Sequence, residues 1–204
     1  MKTIKLNLDE IELNLFPKLY DDYLIAGKLY QKLKDSDSAF SIFSQAIKSN
    51  PDEPAIYFER GKLYFSKKLY LKALEDFNKV ISLENSNGYF YFWRGFTNMK
   101  LERFKQAKED YDKSIQFINP TETPFEVLTL FYLFRGIANY LLNNLIGAII
   151  DYDLVIKSNP SLPETYFLRG FANFELNEYE KAISDWKKSI LLGKDNALEF
   201  IFNI

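Results

Sequence analysis

A pentapeptide that keeps returning constrains this chain more than any other feature. Tyr57-Phe58-Glu59-Arg60-Gly61, Tyr91-Phe92-Trp93-Arg94-Gly95, Tyr132-Leu133-Phe134-Arg135-Gly136 and Tyr166-Phe167-Leu168-Arg169-Gly170 share one pattern, with a weaker copy at Tyr23-Leu24-Ile25-Ala26-Gly27. The glycines are spaced by 34, 34, 41 and 34 residues. Twelve residues after each stands an alanine (Ala39, Ala73, Ala107, Ala148, Ala182), and four residues further an aromatic (Phe43, Phe77, Tyr111, Tyr152, Trp186). A period of this length is one supersecondary unit. It cannot bury its apolar side alone, so copies must stack into an open array. Each unit holds two stretches of about a dozen residues with apolar side chains at three- and four-residue spacing, which is helical periodicity. The predicted fold class is therefore all-α. Glycine and alanine let the two helices of a unit approach closely, and the aromatic fills the space between them.

These residues resemble the tetratricopeptide repeat, from roughly Tyr20 to Lys194. That family places a large residue at repeat position 4, small residues at 8 and 20, an aromatic at 24 and a proline at 32. Pro51 and Pro160 stand at the last of these, Pro120 falls one place late, and Asn85, Asn119 and Lys194 depart from it. Ser114 and Ser189 stand where alanine is common. The resemblance implies a right-handed α-solenoid of stacked antiparallel helix pairs. It divides the chain into an N-terminal extension (1–19), five units (20–53, 54–87, 88–121, 129–162 and 163–194) with a seven-residue insertion near 122–128, and an apolar C-terminal segment (195–204) read as part of a further helix.

The insertion precedes Tyr132. Thr123-Pro124-Phe125-Glu126 reads as a helix start, with threonine as cap and proline at the first helical position. It predicts a first helix longer by about two turns, from about Pro124 to Asn143. Ser161-Leu162-Pro163-Glu164 is a similar signal. At the N-terminus, the alternation of Ile4, Leu6 and Leu8 and of Ile11, Leu13 and Leu15 suits a short hairpin, and a helix from Asp9 suits it equally.

Composition removes several function classes. The chain has no cysteine and no histidine, so thiolate zinc sites, cysteine nucleophiles and histidine general bases are impossible. With a net charge of -2 it lacks the basic stripe that phosphate binding requires, so no nucleic-acid partner is expected. No Gly-rich phosphate loop or ligand cluster stands out, so no cofactor, metal or catalytic residue is assigned, and the chain is not read as an enzyme. The stretch Val127 to Phe134 is far too short to span a bilayer, and Met1 to Phe16 is not a secretory signal. A cytoplasmic location is expected.

Three constellations remain. Arg60, Arg94, Arg135 and Arg169 are each followed sixteen residues on by an aspartate (Asp76, Asp110, Asp151, Asp185), and the first unit lacks both members together. That joint absence predicts a structural pair inside each unit. Asn98, Asn139 and Asn173 recur at position 11 and are read as satisfying a buried group between helices.

The third is the concave face, onto which the resemblance places positions 5, 9 and 12 of each first helix. Position 5 carries Leu24, Phe58, Phe92, Leu133 and Phe167; position 9 carries Lys28, Lys62, Phe96, Ile137 and Phe171; position 12 carries Gln31, Phe65, Met99, Tyr140 and Phe174. From the third unit on, all are apolar or aromatic. Contiguous apolar surface marks an interaction site, so Phe58, Phe92, Phe96, Met99, Leu133, Ile137, Tyr140, Phe167, Phe171 and Phe174 are the candidate partner-binding residues. Three occupants suit them: a peptide or protein partner with apolar anchors, the chain's own tails, or a second copy forming a homo-oligomer. Some family members hold an acidic chaperone tail with lysine at position 5 and asparagine at position 9. Neither occurs at those positions here, which argues against that clamp.

Overall fold

The computed structural model describes residues 20–118 and 124–193, and within them it is built from helices alone. They form five antiparallel pairs: α1 (Tyr20–Lys32) with α2 (Ser36–Ser49), α3 (Pro54–Ser66) with α4 (Tyr70–Leu83), α5 (Gly88–Lys100) with α6 (Phe104–Gln116), α7 (Phe125–Leu141) with α8 (Leu145–Ser158), and α9 (Pro163–Glu175) with α10 (Tyr179–Leu191). Within each pair the helices pack most closely. Each second helix also packs on the next first helix, and consecutive first helices touch one another. That connectivity is an α-solenoid, with the first helices lining one face. The readings of the N-terminal extension and of the C-terminal segment fall outside the described residues.

The core follows the repeat. All five alanines twelve residues after the glycines are fully buried, and of the five aromatics only Trp186 retains as much as 1% exposure. The glycine facing each aromatic leaves no space for a side chain. A Cβ on Gly170 would lie 2.4 Å from Trp186 Nε1, whose N–H donates to the Phe167 carbonyl oxygen at 3.2 Å. The position 4 tyrosines add a tie between units. The hydroxyls of Tyr57, Tyr91 and Tyr166 donate to the carbonyl oxygens of Pro51, Asn85 and Pro160, at the end of the preceding unit, at 3.0, 3.0 and 3.1 Å.

Every turn inside a pair uses one device. Lys34, Lys68, Glu102, Asn143 and Asn177 all lie in the left-handed region, with φ between 58° and 62°. The amide of the residue after each reaches back to the carbonyl five residues earlier; Arg103 N donates to the Asn98 oxygen at 2.9 Å, and Glu178 N to the Asn173 oxygen at 2.9 Å. This satisfies carbonyls that a helix end leaves open. Glycine is the ordinary residue for that conformation, and none of the five is one.

The lengthened fourth first helix is present but shorter than the sequence suggests. α7 has 17 residues against 13 in each of the other first helices, an excess of about one turn rather than two. It stops at Leu141 because Asn143 takes the left-handed turn conformation. Pro124 is the cap rather than the first helical residue, its side chain makes no capping bond, and Thr123 lies outside the described residues. In the last pair Pro163 does open its helix, with Leu162 rather than Ser161 at the cap.

Candidate functional site

The first helices carry their position 5, 9 and 12 side chains to one face. All ten candidate residues are half-buried there, because adjacent first helices bring their rings against one another. Phe65 stacks on Phe96 with ring centres 4.9 Å apart, Phe96 meets Phe134 at 4.9 Å, and Phe92 stacks on Phe131 at 4.7 Å. Phe58 joins them through Trp93 at 6.4 Å. Met99 packs with Phe92 and Phe134 over Ala107, Tyr111 and Ala138. Phe65, Trp93, Phe131 and Phe134 were not among the predicted site residues, and they bind this wall together. Trp93 and Phe134 stand at position 6, immediately before the arginine, a place the repeat pattern had not marked as groove-facing.

Phe167, Phe171 and Phe174 gather around the last unit. Phe167 meets Phe171 edge-on at 4.9 Å, and Phe171 and Phe174 lie 5.4 and 5.8 Å from Trp186. Leu133, Ile137 and Tyr140 lie on α7, which touches both α5 and α9. The Tyr140 hydroxyl donates to the Glu175 carboxylate across that junction. Burial and the Glu175 charge together push Tyr140 up to about 12. Side chains with most of their torsional freedom already spent on such contacts lose little more when a ligand docks.

The first two units differ in chemistry. Glu59 is buried, and its carboxylate takes Lys62 Nζ at 2.8 Å and Lys28 Nζ at 3.4 Å. Lys62 also lies 4.8 Å from the Phe58 ring centre. Between α1 and α3 opens a pocket of about 470 Å³ with Gln31, Lys34, Ser36, Glu59, Lys62 and Lys67 among its lining.

Behind the groove, the arginine–aspartate pairs form inside each unit as the pattern predicts. The contacts are bidentate: Arg60 Nη2 to Asp76 Oδ1 is 2.7 Å, and the corresponding contacts of Arg94, Arg135 and Arg169 to Asp110, Asp151 and Asp185 are each 2.6 Å. The arginines also reach backwards, which the pattern did not reveal. Arg94 Nη1 donates to Asn78 at 3.1 Å and Arg135 Nη1 to Asp112 at 3.1 Å, while Arg169 Nη1 pairs with Asp153 at 2.5 Å. Each of these acceptors lies two residues after the aspartate of the preceding unit, so a single guanidinium fastens two units. Asn98, Asn139 and Asn173 complete the device, their amides donating to Asp110, Asp151 and Asp185 at 2.9, 3.0 and 3.1 Å. They face the helix interface and take no part in the groove. Burial pushes the Asp110 carboxyl up, only partly offset by the bonds from Arg94 and Asn98.

An exposed apolar stripe lies elsewhere. Ile146, Ile150 and Leu154 of α8, four residues apart, are 64%, 54% and 37% exposed. The run Leu145-Ile146-Gly147-Ala148-Ile149-Ile150 is apolar on every side and already carried that signal. Among the described residues no cluster of three or more acidic side chains suits a metal, and no helix is long and apolar enough to cross a membrane.

Two family models match the sequence, both described as tetratricopeptide repeat, over residues 26–89 and 89–119. No curated protein matches it. Solved structures do. The chain is similar to MamA, with 20% identity and a TM-score of 0.77 over 87% of this chain and 93% of that one. A MamA fragment from Desulfovibrio magneticus RS-1 gives 15% identity and a TM-score of 0.77, covering 88% and 97%. YrrB, described as a TPR protein with an unusual peptide-binding site, gives 20% identity and a TM-score of 0.79, covering 89% and 91%.

Proposed function

Because the chain is a tetratricopeptide repeat protein, we propose that it is a non-enzymatic interaction scaffold whose concave groove holds an extended or helical partner segment by apolar anchors. The observation that carries this reading is the wall of half-buried rings on the first helices, held in fixed register by the units behind it. Completing the burial of a large apolar side chain is favourable by up to about 1.5–3 kcal/mol, so each half-buried residue has roughly 1 kcal/mol left to gain. Phe92, Phe96, Phe171 and Phe174 are the dominant anchors, with Phe58, Met99, Leu133, Ile137, Tyr140 and Phe167 around them. The described peptide-binding site of YrrB supports a role of this kind for the fold.

The test is selection of a displayed random dodecapeptide library on the immobilised protein, with Phe96→Glu/Phe171→Glu as the counter-target. The expected outcome is a set of peptides rich in apolar residues that bind the parent at least tenfold more tightly than the variant. No enrichment, or equal binding to both proteins, overturns the reading. Light scattering at several concentrations accompanies it. An oligomer that the double variant dissolves puts a second copy of the chain in the groove instead.

A further inference from the structure

The groove changes chemistry along its length, and that change describes its ligand. At position 9 of successive first helices stand Lys28, Lys62, Phe96, Ile137 and Phe171. The first two are ammonium groups and the last three are apolar. Lys62 lines the pocket between α1 and α3 together with Lys34 and Lys67, and Lys28 meets it only through its ion pair with Glu59. Against these three lining lysines stands one lining carboxylate, Glu59, which Lys62 shares with Lys28. Asp35, between the lining residues Lys34 and Ser36 in sequence, is occupied by the amide and hydroxyl of Ser38 at 3.1 and 2.8 Å. The pocket therefore carries excess positive charge in a recess with hydrogen-bonding side chains, Gln31, Ser36 and Ser66, at its edge. On the last units a carboxylate, Glu175, lies beside Tyr140 instead.

Resting on the groove reading above, we propose that the partner segment is bipartite: one or more side-chain carboxylates seat in the lysine pocket of the first two units, and apolar anchors follow along the third to fifth. Complementary charge fixes which end of the segment lies at which end of the groove, which apolar contacts alone leave open. The arrangement also sets a spacing. Packed helices lie about 8–10 Å apart, so the pocket between α1 and α3 is roughly 15 Å from α5. An extended chain covers that in about four or five residues.

The experiment uses fluorescence anisotropy with two labelled synthetic peptides. One has four acidic residues, a four-residue Gly-Ser spacer and a six-residue block of phenylalanine and leucine. The other replaces the four acids with their amides. Binding to the full chain is measured at low and high salt, and to Lys34→Gln/Lys67→Gln, which replaces two exposed lysines that lie outside the helices. The acidic peptide is expected to bind at least tenfold more tightly at low salt. That advantage disappears in the double variant and in 0.5 M NaCl, while the neutral peptide binds equally in every case. Equal affinity of the two peptides, or an advantage that survives the lysine replacements, overturns the bipartite ligand and leaves the apolar groove standing. Failure of both peptides to bind overturns both.

Discussion

Removing Asp110 tests the device that fastens the units. Its carboxylate is 4% exposed and accepts Arg94 Nη2 at 2.6 Å, Arg94 Nε at 3.0 Å and Asn98 Nδ2 at 2.9 Å. Asp110→Ala strands a guanidinium and an amide. Breaking a buried ion pair from one side costs about 3–5 kcal/mol. Arg94 stays 24% exposed and keeps Asn78, which brings that part towards ~2–3 kcal/mol; the unpartnered Asn98 amide adds ~1 kcal/mol. The expected loss is about 3–4 kcal/mol by urea unfolding followed at 222 nm. Arg94→Met/Asp110→Leu is expected to lose much less than the two single changes together, because it removes both charges and their desolvation cost. The raised Asp110 pKa works against the pair at neutral pH, because burial costs the ionised carboxylate more than its bonds from Arg94 and Asn98 return. A group whose folded value lies above its unfolded one stabilises below the unfolded value, near 3.8, and that contribution is lost as pH rises through the folded value. The gap between parent and Asp110→Ala should therefore widen as pH falls towards 4. A loss under 1 kcal/mol, or strictly additive single changes, refutes the reasoning.

The buried hydroxyls of Tyr111 and Tyr152 have no hydrogen-bond partner, and the first two units carry phenylalanine at that place. Tyr111→Phe and Tyr152→Phe should each stabilise by ~1 kcal/mol; destabilisation in the same urea assay sinks the idea. Lys68 holds a φ of 60°, so Lys68→Gly should stabilise by about 1 kcal/mol through relief of left-handed backbone strain, visible as a higher unfolding midpoint. Alkali should destabilise the fold above pH 10. The unfolded chain loses its tyrosine protons near 10.0 while Tyr140 holds its own to about 12, so unfolding is increasingly favoured across that window. A spectrophotometric titration at 295 nm in which every tyrosine ionises near 10 with the helices intact contradicts this.

Much of the fold was legible in the sequence because a repeat reports itself several times over. Gly, Ala and aromatic at fixed offsets state which helices pack and how closely. The joint absence of arginine and aspartate from the first unit correctly placed their partnership inside the unit. What escaped was whatever depends on contact between units. The backward reach of Arg94 to Asn78 and of Arg135 to Asp112 runs to one repeat position, but that position carries asparagine in one unit and aspartate in the next, and nothing in the repeat pattern singles it out. The left-handed turns at Lys34, Lys68 and Glu102 carried no glycine to announce them, since the returning hydrogen bonds over-determine that conformation.

The sequence by itself determined the helix pairs and their internal core. Helical periodicity and close-approach residues are local, and each copy restates them. Only the tertiary structure decided how wet the face of the candidate anchors is. Stacking first helices side by side turns isolated groove positions into a continuous ring wall in which each aromatic half-covers the next. The same stacking leaves Ile146 and Ile150 facing outward and closes Lys34, Lys62 and Lys67 around one recess. Exposure and local charge are sums over neighbours, and the neighbours come from other turns of the solenoid.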